Sequence, residues 1–116
     1  MLKPENSLEL LEAVKAENLL LKLIEQLNKD FQLSGISKSF DINSSFEILN
    51  EELTETLLNL VQFKYDDYLN LMYRVDISEK ELATITNTNL VTIVNQIAFL
   101  ILKREFQKVW LKQNYK

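Results

Sequence analysis

Apolar residues return every three or four positions from about Ser7 to Phe31, at Leu10, Leu11, Val14, Leu20, Leu21, Ile24, Leu27 and Phe31, with Glu9, Glu12, Lys15, Lys22 and Glu25 between them. That spacing lines one side of a helix and predicts a first, long amphipathic helix. Pro4 ahead of it, acidic residues in its first turn and Gly35 shortly beyond its end agree with the preferences of helix starts and stops. From 32 to 43 the period is lost among Ser34, Gly35, Ser37, Ser39 and Asp41. A loop is expected there, with Leu33, Ile36, Phe40 and Ile42 packing down as its anchors.

The helical period resumes at Phe46 and holds through Leu49, Leu53, Leu57, Leu60, Val61, Tyr65, Tyr68, Leu69 and Met72 to about Tyr73. Ser44 stands three residues before Glu47, a pattern in which each side chain satisfies a free backbone N–H at a helix start. With no glycine or proline to break it, one helix of about 42 Å is expected at 1.5 Å per residue. Arg74-Val75-Asp76-Ile77 interrupts the pattern, and Ser78-Glu79-Lys80-Glu81 opens a short helix with Leu82, Ala83 and Ile85. Thr86-Asn87-Thr88-Asn89 is rich in side chains that cap helices, which predicts a turn and a restart. A last helix then runs from about Leu90 to Asn114. The expected architecture is a single all-α domain over 1–116, a helical bundle of three long helices and one short helix with a loop at about 32–43.

The last helix is chemically divided. No residue from Leu82 to Leu102 is charged, and ten of the thirteen from Leu90 to Leu102 are apolar. Thirteen residues fall short of the roughly 20 that cross a bilayer, and Asn95 with Gln96 interrupts the run. A helix apolar on nearly all sides is expected to be buried on nearly all sides, at the centre of the bundle or at a subunit contact. Ile97, Leu100 and Ile101 are accordingly candidate interface residues.

Composition narrows the chemistry. The 116 residues include no cysteine, no histidine, one glycine and one proline, with 47% hydrophobic and 26% charged residues. Average usage would supply about fourteen glycines and prolines in such a chain, so turn-rich β architectures and glycine-dependent phosphate loops are excluded. Missing histidine and cysteine remove the triad mechanisms, thiolate nucleophiles and the usual zinc ligands. Disulfide chemistry is absent, and the opening Met1-Leu2-Lys3-Pro4 lacks the apolar run of a secretory leader, so a cytoplasmic location is expected.

The formal net charge is −4, and it is polarised: residues 103–116 carry five basic groups and one acid, the remainder eight basic and sixteen acidic groups. Arg104, Lys108, Lys112 and Lys116 recur every fourth residue, while Glu47, Glu51, Glu52, Glu55, Asp66 and Asp67 make the second helix acidic. The two are expected to complement each other, within one chain or between two. An alternative is weak nucleic-acid binding through Arg104, Lys108 and Lys112.

Three patterns invite a functional reading. Glu81-Leu82-Ala83 through Ile97 resembles a helix-turn-helix signature, with Thr92-Ile93 and Ile97 at matching places. Thr86 and Asn87, however, stand where leucine and glycine are usual, and no Lys or Arg lies between Leu90 and Leu102 to meet phosphates. Glu52-Leu53-Thr54-Glu55 with Asp66 and Asp67 offers oxygen ligands for Mg²⁺, and a Mg²⁺-dependent hydrolase using Glu52, Glu55 and Asp66 or Asp67 is an alternative function. All-α nucleotide pyrophosphohydrolases use such a Glu-x-x-Glu, and the Glu-x-x-Asp that follows it there has no counterpart here. Tyr65-Asp66-Asp67-Tyr68 and Tyr73-Arg74-Val75-Asp76 gather residue types that anchor interfaces. The plainer account makes Tyr68 and Met72 core, Arg74 a cover for helix-end carbonyls, Asp76 or Ser78 a cap, and Trp110 a closure of the bundle end.

Leu71-Met72-Tyr73-Arg74-Val75-Asp76-Ile77-Ser78-Glu79-Lys80 and Leu100-Ile101-Leu102-Lys103-Arg104-Glu105-Phe106-Gln107-Lys108 resemble segments of short uncharacterised bacterial proteins, which carry a Leu-Tyr-Arg-Ile-Asp-Val-Ser-Glu run and a terminal Arg-Glu-x-Gln-Lys. The resemblance covers the C-terminal half and implies a soluble all-helical bacterial protein, with no activity or cofactor to carry over. The expected function is a non-enzymatic protein that self-associates, as a homodimer, or binds a protein partner. Its candidate interface is Ile97, Leu100, Ile101, Arg104, Lys108, Tyr73 and Arg74; no catalytic, cofactor-binding or metal residue is assigned.

Overall fold

The computed structural model describes residues 4–86 and 88–115. Among them every regular element is a helix: α1 (Ser7–Glu17), α2 (Leu20–Leu33), α3 (Phe46–Phe63), α4 (Tyr65–Val75), α5 (Glu79–Leu82) and α6 (Leu90–Asn114). The all-α class follows from the sequence pattern. Both long helices expected in the first 73 residues are broken in two, without a glycine or proline at either break.

The first break is a side-chain effect. Asn18 takes a left-handed conformation, φ 54°, which asparagine tolerates better than most residues. Its N–H donates to Lys15 O at 3.1 Å and that of Leu19 to Val14 O at 3.1 Å, the paired bonds of a Schellman end. The chain then restarts at Leu20 in a new direction. Gly35, φ 78°, ends α2 the same way: its N–H donates to Gln32 O and that of Ile36 to Phe31 O.

The second break is the single residue Lys64, φ −142° and ψ 60°. Its N–H still closes on Leu60 O and its carbonyl still accepts from Tyr68 N–H, so the ladder is bent with little loss of bonding. Bending lets Leu57 and Leu60 on one side of it, and Tyr68, Leu71 and Met72 on the other, all reach the same core. Asp66 and Asp67 lie in the first turn of α4, where negative charge is favourable.

Ser45, rather than Ser44, caps α3, accepting from Ile48 N–H at 3.2 Å. Ser78 accepts from Glu81 N–H at 3.1 Å, as its spacing predicts. Asn89 caps α6 through Thr92 N–H at 3.1 Å; Asn87, assigned to the turn, lies outside the described residues. The 34–45 segment is pinned by Asn28, whose side chain accepts from Phe40 N–H at 2.7 Å and donates to Phe40 O at 2.9 Å. The Phe40 ring meets Phe31 edge-on at 5.1 Å. Phe40 is buried and Ile36 partly so, whereas Leu33 and Ile42, expected as anchors, are about half exposed.

Helix α6 is the hub, packing on α1, α2, α3 and α4. Lys22 meets Gln113, Gln26 meets Lys112 and Asp30 meets Lys108, so α2 rises where α6 falls and the two are antiparallel. The buried positions of α6 include Val94, Ile97, Ala98, Ile101, Leu102, Glu105, Phe106 and Val109. These form a broad stripe rather than an all-round buried surface: Val91, Asn95 and Gln96 face out. No helix among the described residues is long and apolar enough to cross a membrane.

Candidate functional site

The seven candidate interface residues separate into two groups. Ile97, Leu100 and Ile101 are buried by the chain's own helices, which use the apolar surface that the sequence offered to a partner. Tyr73 and Arg74, by contrast, face out from α4. Arg104 and Lys108 are only partly exposed and are committed to contacts within the chain.

Arg104, Lys108 and Lys112 therefore reach neighbouring helices, while Lys116, the last of the repeat, lies outside the described residues. Arg104 Nε donates to Asp76 O at 3.1 Å and its Nη2 approaches Asp76 Oδ2 at 3.4 Å. Lys108 Nζ donates to Asp30 Oδ2 at 2.8 Å and to Arg74 O at 3.3 Å, and Lys112 Nζ to Gln26 Oε1 at 3.0 Å. Lys103 pairs with Glu81 at 3.5 Å and lies 5.9 Å from the centre of the Phe99 ring. The acidic partners of these cations are Asp30 on α2, Asp76 after α4, Glu81 on α5 and Glu105 on α6 itself, and the acids expected in that role, Glu47, Glu51, Glu52 and Glu55 on α3 and Asp66 and Asp67 on α4, make no ion pair with them within the chain. The carbonyls at the end of α4 are covered by Arg104 and Lys108 from α6, which leaves the Arg74 guanidinium in solvent.

At the centre of this network lies a pair of carboxyls. Glu105 is 0% exposed and Asp30 3%. Lys108 Nζ is 3.2 Å from Glu105 Oε1, an ion-pair approach without hydrogen-bond alignment, and neither Glu105 oxygen has a hydrogen bond. Gln26 Nε2 donates to the other Asp30 oxygen at 3.3 Å. Burial, and then the neighbouring Asp30 carboxyl, push Glu105 up to about 9, with Lys108 offsetting only part of the shift. A protonated Glu105 can donate to Asp30, leaving one neutral acid beside one ion pair; two ionised carboxylates sharing a single ammonium would bury a net charge.

Neither acid was singled out by sequence reasoning, although the signal was present. Asp30 falls three residues after Leu27 on the apolar stripe of α2, and Glu105 falls four after Ile101 on that of α6. An acid at a core position needs a partner. What the residue spacing could not give was that the two positions face each other.

Of the acids considered for Mg²⁺, Glu55 and Asp67 line one open groove together with Lys38 and Lys64, Glu52 is 4.0 Å from Lys38, and Asp66 is exposed on α4. No group of three or more potential metal ligands occurs among the described residues.

The outer face of α4 is the distinctive exterior surface. Tyr65, Leu69 and Tyr73 stand four residues apart on one line, with Phe63 just before the bend. Tyr73 is 84% exposed and Phe63 75%, while Tyr65 and Leu69 are about half exposed. Tyr65 leans on Tyr68 with ring centres 5.5 Å apart, which steadies it at the edge of the core. Beside the line lie Asp66 and Arg74, both exposed and neither with a hydrogen bond or ion pair from its side chain.

No family model matches this chain, and no curated protein or solved structure matches it either.

Proposed function

We propose that this chain is a non-enzymatic helical interaction protein of the cytoplasm that docks on a protein surface through the outer face of α4. One observation carries the reading: Tyr65, Leu69 and Tyr73 form an exposed line on α4 although the chain has buried its other large apolar surface, the stripe of α6. Leaving such a line in water costs hydrophobic free energy that a partner recovers, and tyrosine is a residue type that anchors interfaces. The basic residues on which nucleic-acid binding would depend, Arg104, Lys108 and Lys112, are engaged by Asp76, Asp30 and Gln26, which favours the protein-docking reading.

A photoactivatable phenylalanine analogue placed at Tyr73, and separately at the exposed Glu12 on α1, tests it. Discrete crosslinked protein bands specific to position 73, lost when Leu69→Asp is added, are expected. Equal or absent crosslinking at both positions overturns the reading.

A further inference from the structure

We infer that the groove between α2 and the last turns of α6 is a binding site for a small anion bearing linked phosphates, held by the ammonium groups of Lys22, Lys29 and Lys112. The site uses no residue of α4 and stands independently of the docking role.

Lys22, Gln26 and Lys29 follow one another at four and three residues on α2 and so share one side of it. The antiparallel packing of α6 brings Lys112 and Gln113 against them, and these five side chains line a groove of about 300 Å³ floored by Val109. Glu25 is the acid on its wall, so three ammoniums share the groove with one carboxylate, on a chain whose net charge is −4.

Two of these cations are oriented without being neutralised. Lys22 Nζ donates to Gln113 Oε1 at 2.9 Å and Lys112 Nζ to Gln26 Oε1 at 3.0 Å. Gln26 is 9% exposed and its Nε2 donates to Asp30, so the amide that orients Lys112 is itself fixed from the core. An amide oxygen brings no net charge, and each ammonium has three donors, of which one is spent here. Lys29 has no hydrogen bond or ion pair from its side chain, although Glu25 stands four residues before it, the spacing at which the two most readily pair on a helix. At 100° per residue Glu25 falls on the flank of the Lys22 and Lys29 line opposite to Gln26, away from α6. None of the three lysines makes an ion pair among the described residues, whereas Lys103, Arg104 and Lys108 of α6 each have a carboxylate.

Gathering three cations without a counter-charge raises the local positive potential, which an entering anion relieves. Phosphate oxygens suit the donors left on these ammoniums, since a phosphate offers several acceptors and more charge than a carboxylate. Lys22 and Lys29 are about 10 Å apart along α2, so linked phosphates span the ammoniums better than a single one does. The volume lies at the small end of ligand sites and fits a short phosphate chain rather than a polymer. A free phosphate chain and the phosphate tail of a nucleotide share this chemistry.

Amide NMR on the purified full chain, titrated with sodium tripolyphosphate at constant ionic strength, tests the site. Saturable shifts of the Gln26 and Gln113 side-chain amides are expected, half complete at about 1 mM or below, with orthophosphate binding at least about fivefold more weakly. Lys29→Gln and Lys112→Gln are each expected to weaken binding about fivefold or more. The first should leave the melting curve unchanged, because the Lys29 side chain has no contact to lose. Lys103→Gln, which breaks the pair with Glu81 outside the groove, is expected to leave binding as it was. Shifts that never saturate, or that survive both Lys29→Gln and Lys112→Gln, overturn the site. Orthophosphate bound as tightly as tripolyphosphate overturns the requirement for linked phosphates, and citrate bound as tightly overturns the assignment to phosphate. An oligonucleotide bound more tightly than tripolyphosphate and adenosine triphosphate overturns the assignment to a small anion. Adenosine triphosphate bound more tightly than tripolyphosphate supports the site with a nucleotide as the source of the chain, and equal or weaker binding supports it with the phosphate chain alone.

Discussion

Asp30 and Lys108, 78 residues apart in the chain, meet at 2.8 Å between α2 and α6 with Glu105 against the same ammonium at 3.2 Å. One lysine thus serves two buried carboxyls, and the antiparallel packing of α2 on α6 is tied at this point by charge as well as by apolar contact.

The pH dependence of stability follows from Glu105. Its folded value is about 9 against an ordinary value of 4.5, so between those limits the folded state holds a proton that the unfolded state has released. Stability from this group is fully present below about pH 4.5 and is lost as the pH rises towards 9, by about 1.4 kcal/mol per unit at most. Glu105→Gln imitates the protonated acid. Urea unfolding at pH 6 and pH 8 is expected to show a larger loss for the native chain than for the variant, and the variant to be the more stable of the two at pH 8.

Removing the shared cation has the opposite sign. Lys108→Met leaves Asp30 buried without its ammonium and uncovers Arg74 O, and is expected to cost about 3–5 kcal/mol. The cost is expected to shrink markedly in an Asp30→Asn background, because the charge that needed neutralising is gone. A double-mutant cycle in urea with no coupling between the two positions refutes the account.

At Asn18 the left-handed conformation makes a directional prediction. Asn18→Gly is expected to raise stability by about 0.5–1 kcal/mol, and Asn18→Ala to lower it by about 1 kcal/mol, as φ 54° is free for glycine and costly for alanine. Thermal melts of the two variants should move in opposite directions.

The 34–45 segment should depend on one side chain. Asn28→Ala deprives the Phe40 N–H and C=O of their partners, at about 1–3 kcal/mol for each group that water does not reach. Hydrogen exchange at the Phe40 amide is expected to accelerate far more than exchange in α3, which the clamp does not touch.

The apolar spacing made the helices legible and the capping residues located several of their starts, Ser78 and Asn89 among them. It did not reveal the breaks. Asn18 supplies a left-handed residue where the sequence shows no glycine, and Lys64 bends a helix that has no intrinsic breaker, because burying Leu57, Leu60, Tyr68, Leu71 and Met72 together outweighs local continuity. Tyr73 and Arg74 were visible as residues suited to an interface, and the structure leaves them exposed. Ile97, Leu100 and Ile101 looked equally suited, since a free apolar surface and a surface awaiting the rest of its own chain have the same pattern.

By itself the sequence determined that this chain is helical, that it lacks the side chains for thiol, histidine and glycine-loop chemistry, and which residues alternate between core and solvent. These are properties of residue type and of spacing over one or two helical turns. Tertiary structure decided which helix faces meet, and with them the direction of the α6 cations, the pairing of Asp30 with Glu105 and the exposure of the α4 line. Each depends on residues tens of positions apart arriving at one place, which is set by the total burial of the bundle and by no local pattern.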